Sequence, residues 1–333
     1  MRAVVVKKLG PPESLSIENV PTPVPDDGEV LVDFHACSIN YPDLLFMAGK
    51  YQVVPDLPFS PGFDAAGVVS AVDGGVKNLK PGDRVMVRLP RGGGYAEQAV
   101  SPEHLCYPMP DDMSFVDAAA MGMVYQTAYF GLLDRGQYKE GETVMVNGAS
   151  GGVGIASVQF AKALGATVLA AVSKPERGEV VRAAGADHVI DLSTDDLRES
   201  LRQQVFAVTD GKGADVILDS IGGAVFEASL RALAWCGRIV IVGYMSGDIP
   251  SVKTNYIMIK NIAVSGLSAA NYLYRTPEWT ARVQQELFDL YTQGKLEPHV
   301  MKTYPLEDYM EALAVIRNRE VQGKVVMTFK NGA

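Results

Sequence analysis

Apolar runs of strand length alternate with stretches of helical spacing along the second half of the chain. The strand-like runs lie at 143–147, 167–172, 188–190, 215–219, 238–243 and 262–266. The second and fourth are almost wholly apolar, as is typical of strands covered on both faces. Apolar residues recur at helical spacing within 155–164, 176–184, 197–208 and 225–234. This alternation predicts right-handed crossovers and an α/β fold with a six-stranded, doubly wound parallel sheet.

The first 122 residues follow a different pattern, rich in Pro and Gly. Short β-branched runs at 3–6, 30–36, 66–72 and 84–87 are separated by turn sequences such as Pro25-Asp-Asp-Gly28 and Pro81-Gly-Asp83. This pattern predicts a small, mostly β domain.

After Leu267 the pattern predicts helix 277–293, strand 299–304, helix 306–317 and strand 324–329. A strand–helix–strand unit is too small to bury a core of its own, so we expect it to join the first domain. The predicted domains are a discontinuous, mostly β domain (1–122 and 269–333) and an α/β domain (123–268).

Composition and charge exclude several classes of protein. A formal net charge of −9 over 333 residues disfavours binding to nucleic acid. The weakly polar stretch from Ala118 to Leu133 falls short of the roughly 20 apolar residues of a membrane span. The apolar run near the N-terminus is too short for a secretory signal. Three scattered cysteines predict no disulfide framework and favour a reducing compartment, so we expect a cytoplasmic protein.

The sharpest local signal is the glycine-rich segment Asn147-Gly-Ala-Ser-Gly-Gly-Val-Gly154, between a predicted strand and a predicted helix. That context is typical of a dinucleotide fingerprint, in which glycines admit the pyrophosphate and the helix N-terminus binds it. We therefore expect cofactor contacts at Ser150, Gly151, Gly152 and Val153.

The same residues also spell G-x-S-x-G, the nucleophile elbow of α/β-hydrolases, and Asp219 and His299 follow in the required order. The elbow strand of hydrolases comes late in the sheet, however, whereas this one is the first of six. A hydrolase gives no reason for Gly154 either, so the dinucleotide interpretation is favoured.

The residues after the second predicted strand bear on the choice of cofactor. NAD-binding proteins place a carboxylate there for the ribose hydroxyls. This chain has Ser173, Lys174 and Arg177, which suit the 2′-phosphate of NADPH. The alternative is a solvated start of a helix, which the nearby Glu176 and Glu179 also fit.

Several segments in order match a known pattern. They are Asn40-Tyr-Pro-Asp-Leu-Leu, Gly49-Lys-Tyr51, Leu57-Pro-Phe-Ser-Pro-Gly-Phe-Asp-Ala-Ala-Gly67, Pro81-Gly-Asp-Arg-Val85, Ala149-Ser-Gly-Gly-Val-Gly154, Ala184-Gly-Ala-Asp187, Asp219-Ser-Ile-Gly-Gly223 and Gly237-Arg-Ile-Val-Ile-Val-Gly243. Over nearly its whole length the sequence resembles the zinc-free, zeta-crystallin-like quinone oxidoreductases of the medium-chain dehydrogenase/reductase superfamily.

The resemblance implies a GroES-like catalytic domain, a Rossmann domain and NADPH bound between them. It also implies homodimers or homotetramers, often joined through the last Rossmann strand at Ile262–Gly266. Carried over to matching positions, it implies cofactor contacts at Asn40, Thr127, Ser173, Arg177, Val242, Gly243, Tyr244, Leu267, Ser268 and Lys324.

Zinc-dependent relatives carry Cys and His ligands where this chain has Asn40-Tyr41 and Phe63, and this chain has no C-x-x-C cluster. We therefore expect no metal. His35 and Cys37 lie on one predicted strand face, but a packed histidine beside a buried thiol explains them better than a metal site does.

The implied function is an NADPH-dependent, zinc-independent reductase of quinones or α,β-unsaturated carbonyls. An enoyl-thioester or acrylyl-CoA-type reductase, and a crystallin-like NADPH-binding protein with little turnover, remain alternatives. Tyr51 and Asn40 are the candidate catalytic residues, since Tyr51 matches the G-x-Y tyrosine that acts as an acid in the enoyl-thioester branch. Tyr51 would alternatively only pack over the nicotinamide, and Tyr41 and Tyr244 are weaker candidate donors.

Overall fold

A computed structural model describes residues 1–329, and these residues divide into two compact units. The first unit contains residues 1–123, 270–292 and those from 298 onward, and the second contains 124–269 and 293–297. The segment after residue 269 therefore contributes mostly to the first unit, but Gln293–Glu297 belongs to the second.

The strands are β1 (Arg2–Val5), β2 (Ser16–Asn19), β3 (Glu29–Ile39), β4 (Asp64–Val72), β5 (Arg84–Arg88), β6 (Gln98–Pro102), β7 (Cys106–Pro108), β8 (Thr143–Asn147), β9 (Thr167–Val172), β10 (His188–Asp191), β11 (Ala214–Asp219), β12 (Leu233–Ile241), β13 (Ala263–Gly266), β14 (Val300–Pro305) and β15 (Lys324–Thr328). The helices are α1 (Tyr41–Met47), α2 (Phe115–Tyr129), α3 (Gly152–Ala163), α4 (Gly178–Ala183), α5 (Leu197–Val208), α6 (Gly223–Ala232), α7 (Thr254–Lys260), α8 (Ala269–Arg275), α9 (Pro277–Thr292) and α10 (Tyr309–Arg317). A π-helical turn, Phe130–Arg135, continues α2.

The first unit is built on a seven-stranded sheet in the order β14-β15-β3-β4-β5-β7, with β6 also paired to β3. Its neighbours are antiparallel except for the β14–β15 pair. The last strand, β15, runs against β3 so that Val325 faces Ile39. This pairing brings Lys324, at the start of β15, beside the end of β3 and the start of α1.

The second unit contains a parallel sheet in the order β10-β9-β8-β11-β12-β13. The predicted doubly wound α/β architecture is thus confirmed. The strand order reverses between β8 and β11, and ligands of such folds bind outside the carboxyl ends of the strands at this point. Asn147 ends β8 and Asp219 ends β11, so both mark that position.

The structure differs from the predicted elements where a helix is short, where it lacks an amphipathic period or where the apolar pattern continues through a boundary. The 15-residue α2 was not predicted, because its apolar residues are not confined to one face. Helices α1, α7 and α8 have seven residues each, too few to show a period, and the sequence did not predict them. The predicted helix 225–234 ends at Ala232, because the chain enters β12 directly without a polar interruption. Within residues 1–329, none of the helices has both the length and the apolar character that crossing a membrane requires.

Candidate functional site

The glycine-rich segment forms the turn between β8 and α3 in the second unit. Gly148 adopts a φ of +71°, a conformation that side chains disfavour. A Cβ on Gly154 would lie 2.2 Å from the Gly148 carbonyl oxygen, so only glycine fits where the helix crosses the turn. Both glycines are therefore explained by the path of the backbone.

Gly151 precedes α3 in extended conformation and has space around it. The nearest atom to a Cβ built there is the Gly148 carbonyl oxygen at 3.6 Å, an ordinary contact. The first-turn N–H groups of a helix have no intrahelical acceptor, and α3 starts at Gly152. The predicted contact residues Ser150, Gly151, Gly152 and Val153 thus surround an open helix N-terminus suited to an anion.

Arg177 lies beside this turn. Its Nη1 donates a hydrogen bond to the Ser150 hydroxyl over 3.3 Å, although 27 residues separate the two. Ser173 and Lys174 are exposed directly after β9, on the turn that leads to Arg177. The structure therefore joins the two predicted cofactor segments, the glycine loop and the residues after the second strand of the sheet.

Two buried polar side chains, Asn147 and Asp219, are hydrogen-bonded to each other at the base of the glycine-rich turn. Asn147 Nδ2 donates to Asp219 Oδ1 over 2.8 Å and to Ser229 Oγ over 2.9 Å. Asp219 Oδ2 also accepts the Gly222 N–H, and burial raises the pKa of the Asp219 carboxyl. Asp219 therefore anchors loops at the switch point, a role that differs from the acid of a hydrolase triad. This anchoring role of Asp219 was not predicted from the sequence.

The remaining predicted cofactor residues of the second unit lie in two loop segments and in α2. Val242, Gly243 and Tyr244 follow β12, and Leu267 and Ser268 follow β13. Because the sheet is parallel, these segments lie along the same edge as Asn147 and Ser173. Thr127 is 5% exposed within α2.

A buried network of polar side chains surrounds the end of β3 in the first unit. Lys324 Nζ donates to Asn40 Oδ1 over 2.6 Å and to the Ile39 carbonyl over 3.2 Å. Asn40 Nδ2 donates to Asp64 Oδ2 over 2.9 Å. These two partners fix the orientation of the Asn40 amide. The Lys324 ammonium can only donate, so it requires the amide oxygen, and the Asp64 carboxylate accepts from the amide nitrogen. Burial lowers the pKa of Lys324, while Asp64 and Asp43 oppose that shift.

Asp43 is the most shielded carboxyl of this network. Its Oδ2 accepts the Asn40 backbone N–H over 2.7 Å and the Tyr95 hydroxyl over 3.0 Å, and its Oδ1 accepts the Gly62 N–H. Burial raises the pKa of Asp43 to about 7, against the opposing effect of these hydrogen bonds. This carboxyl consequently titrates near neutral pH.

Tyr51 lines a small cavity of the first unit. The other lining residues are Gln52, Val53, Phe63, Arg88, Pro90, Met123, Ala270, Asn271, Leu273 and Tyr274. The Tyr51 ring packs against Phe63, with centroids 5.4 Å apart, and edge-on to Phe46. Burial raises the pKa of the Tyr51 phenol, so the hydroxyl retains its proton at neutral pH. Asn40 and Lys324 belong to the buried network instead, so direct cofactor contacts by these two residues stay predictions.

Asp64 and Arg88 are site residues that sequence reasoning missed. Arg88 Nη1 pairs with Asp64 Oδ1 over 2.7 Å, and both side chains are almost fully buried. The available signal was a charged residue at each end of the apolar strand segment Arg84-Val-Met-Val-Arg88. Charged residues are rarely buried unless they are paired.

Phe63, one of the positions at which zinc-dependent relatives carry a ligand, has an apolar setting here. Phe63 is 2% exposed and its ring lies 4.9 Å from that of Phe46. His35 stacks on Phe115 at 4.1 Å and Cys37 is fully buried. Among residues 1–329 no three His, Cys, Asp or Glu side chains group as metal ligands would. Metal independence stays a prediction.

Comparison with known proteins places the chain among dehydrogenases and reductases. Residues 26–111 match the alcohol dehydrogenase GroES-like domain and residues 152–286 match the zinc-binding dehydrogenase family. The quinone oxidoreductase-like protein 2 homolog of Nematostella vectensis is 37% identical, over 99% of this chain and 89% of the relative. Human quinone oxidoreductase is 32% identical, over 98% of this chain and 97% of its own.

A solved structure extends this similarity to three dimensions. Quinone oxidoreductase of Escherichia coli, crystallised with NADPH, superposes with a TM-score of 0.89 at 31% identity. The match covers 98% of this chain and all of the other. The resemblance seen in the sequence is confirmed: the chain belongs to the quinone oxidoreductase family of the medium-chain dehydrogenase/reductase superfamily.

Proposed function

We propose that this protein is an NADPH-dependent reductase that transfers hydride to a quinone or an α,β-unsaturated carbonyl compound without a metal ion. The observation that carries the proposal is the hydrogen bond between Arg177 and Ser150, which holds a cation at the glycine-rich turn. A cation there suits a cofactor with an additional phosphate, since charge-assisted hydrogen bonds are the strong ones. The NADPH in the crystal structure of the E. coli relative supports the same choice.

The second unit has the features that a dinucleotide phosphate needs. The turn offers first-turn N–H groups of α3, open space at Gly151 and the Ser150 hydroxyl. Arg177, with Ser173 and Lys174 before it, supplies donors for a 2′-phosphate. These residues would hold the cofactor, together with the segments that follow β12 and β13.

NADPH, when bound, supplies a hydride from C4 of its nicotinamide to a conjugated carbon of the acceptor and is thereby oxidised to NADP⁺. The acceptor gains two electrons and one hydrogen, and its conjugated π electrons shift onto the carbonyl oxygen. Tyr51, whose hydroxyl keeps its proton at neutral pH, donates the second hydrogen as a proton. Hydrogen bonds from Lys324 and to Asp64 hold the Asn40 side-chain amide in one orientation at the end of β3.

The aromatic surroundings of Phe63 favour a conjugated acceptor. Reduction of a saturated ketone localises charge on one oxygen, which zinc stabilises as a Lewis acid in the metal-dependent relatives. Phe46 and Tyr51 pack against Phe63 at that position and offer no ligand set for such an ion. A quinone or enone instead spreads the charge through an enolate.

The test is NADPH oxidation by the purified protein with a panel of acceptors: a quinone, an enone, an enoyl thioester and a saturated ketone. We expect quinone and enone to be reduced much faster than the ketone, with deuterium delivered to the conjugated carbon from C4-deuterated NADPH. Preference for the thioester would favour the enoyl-thioester alternative. Tight NADPH binding with no turnover on any acceptor would favour a crystallin-like role, and a fast ketone reaction would reject the reaction class.

We also propose that the protein forms a homodimer or homotetramer. Strand β13 lies at the edge of the second unit's sheet, and among residues 1–329 it pairs only with β12. Met258 and Ile259, on the helix before it, are 70% and 71% exposed. Light scattering after size exclusion measures the state, and a charged substitution at Ile259 should shift it toward monomer.

A further inference from the structure

Arg88, at the end of β5, presents a buried cation to the cavity that Tyr51 lines. Its side chain is 3% exposed. A buried guanidinium is costly unless its donors are satisfied, because desolvation of a charge outweighs most single contacts.

The protein satisfies only part of the hydrogen-bonding capacity of the Arg88 guanidinium. A guanidinium carries five N–H donors. Within residues 1–329, Nη1 bonds to Asp64 over 2.7 Å and is the only atom of the side chain with a partner, while Nε is buried without one. Asp64 is itself shared, since it also accepts from Asn40 Nδ2 and from the Met123 N–H. Arg88 thus has donor capacity left over at a cavity.

Tyr51 lines the same cavity. Burial raises the pKa of the Tyr51 phenol, and the positive charge of Arg88 partly offsets that rise. The remaining walls are largely apolar, with Phe63, Leu273 and Tyr274 among them. An apolar cavity with a few polar groups among its lining residues is the usual form of a site that orients one polar group of a ligand.

We propose that Arg88 binds the carbonyl oxygen of the acceptor and stabilises the oxyanion that forms there during reduction. This assignment rests on the proposed function. When hydride bonds to the conjugated carbon, the C=C π bond breaks and its electron pair moves toward oxygen, which gives an enolate or quinolate. Arg88 donates hydrogen bonds to that oxygen. The Tyr51 O–H bond then breaks, its proton bonds to the α-carbon of an enolate or to the oxygen of a quinolate, and the Tyr51 phenolate regains a proton from water. The Asp64 carboxylate holds the guanidinium in place throughout.

The effect should be largest for acceptors whose reduced form is a strong base. A simple enone yields an enolate of high basicity, whereas a quinone yields a stabilised phenolate. Removal of one oxyanion donor in other enzymes lowers turnover by about 10²- to 10³-fold. We expect a loss of that order for enones and a smaller loss for quinones, with the dissociation constant of NADPH unchanged.

The decisive experiment uses 4-nitrophenol, whose absorbance reports its ionisation, as a stable analogue of the oxyanion. The variants are Arg88→Gln, the charge-balanced double variant Arg88→Gln/Asp64→Asn, and Arg91→Gln as a control that removes an exposed arginine three residues away. The double variant leaves no unpaired carboxylate if the single one fails to fold. The wild-type protein and Arg91→Gln should bind the phenolate at least about tenfold more tightly than the phenol, and the Arg88 variants should lose that preference.

An unchanged phenolate preference in the double variant, or none in the wild type, would overturn the assignment of Arg88. This binding measurement needs neither NADPH nor turnover. If the wild-type protein binds the phenolate through Arg88 but reduces no acceptor, the proposed function fails and the anion site stands.

Discussion

Arg177 Nη1 donates to Ser150 Oγ over 3.3 Å, and this bond links the start of α4 to the turn before α3. The two residues come from successive βα units, which a parallel sheet brings to one edge. The bond holds a positive charge beside an open helix N-terminus, so one anionic ligand would meet both. The glycine-rich turn and the residues after β9 therefore lie side by side, and a substitution can test whether one ligand contacts both.

Arg177→Ala should weaken binding of NADPH far more than binding of NADH. A charge-assisted hydrogen bond contributes about 1.5–3 kcal/mol, which corresponds to roughly 10- to 10²-fold in the dissociation constant. Fluorescence titration with each nucleotide measures both constants. Arg182→Ala removes an exposed arginine of α4 and should change neither. Equal losses of affinity for both nucleotides in Arg177→Ala would show that Arg177 does not bind the 2′-phosphate.

Two alanine substitutions in the glycine turn should differ in their effect on stability. In Gly154→Ala the new Cβ meets the Gly148 carbonyl at 2.2 Å, so the turn must shift and the free energy of unfolding should fall by a few kcal/mol, about what overpacking costs. In Gly151→Ala the nearest atom is 3.6 Å away, so the protein alone should keep its stability. Urea unfolding checks both.

The same pair separates folding from binding. We expect Gly151→Ala to lose at least about tenfold in affinity for NADPH, because the methyl group would occupy the space left for the pyrophosphate. Unchanged affinity in that variant would place the phosphates elsewhere.

The sequence predicted the sheet of the second unit and helices α3 to α6, because each of these elements carries its own pattern. The apolar run at 167–172 and the glycines from Gly148 to Gly154 are local signals that need no tertiary information. The buried network of the first unit could not be predicted, because its members meet only after β15 returns to pair with β3. Lys324 lies 284 residues from Asn40 along the chain, and no local pattern encodes their contact. Arg88 similarly resembles an ordinary strand-end arginine until Asp64 is seen beside it.

Asp43 should make the protein less stable as the pH rises from about 4 to above 7. Its pKa is about 7 in the folded protein and near 3.8 when exposed, so the folded state holds a proton that the unfolded state has released. The resulting stabilisation is fully present at low pH and is lost as the pH passes the folded pKa. Each pKa unit corresponds to about 1.4 kcal/mol, so the free energy of unfolding should fall by a few kcal/mol across this pH range.

Asp43→Asn provides the comparison for this pH dependence. The amide cannot accept bonds from Asn40, Tyr95 and Gly62 as the carboxyl does, so the variant should be less stable overall. Its stability relative to wild type should improve toward high pH, because only the wild-type residue must ionise in a buried position. Urea titrations across this pH range measure the difference, and a constant difference would show that Asp43 keeps one charge state throughout.

Removal of metal ions should leave activity unchanged. Phe63 packs between Phe46 and Tyr51 at the position where zinc-dependent relatives place a ligand. Dialysis against a strong chelator, followed by elemental analysis and the NADPH oxidation assay, tests this expectation. Stoichiometric zinc whose removal abolishes turnover would contradict it.

Tyr51→Phe should lower enone turnover at least about tenfold while the affinity for NADPH stays the same. A general acid contributes roughly 10²- to 10⁴-fold, and the loss is smaller where water substitutes for it. Quinone reduction should suffer less, because a quinolate can take its proton from water.

Tyr274→Phe is the matched control, since Tyr274 lines the same cavity but is 57% exposed. The phenylalanine keeps the ring contacts with Phe46 and Phe63, so a packing role alone predicts unchanged turnover in both variants. A loss confined to Tyr51→Phe, and larger for enones than for quinones, identifies the hydroxyl as the proton donor, whereas equal rates in the two variants would assign the ring to packing.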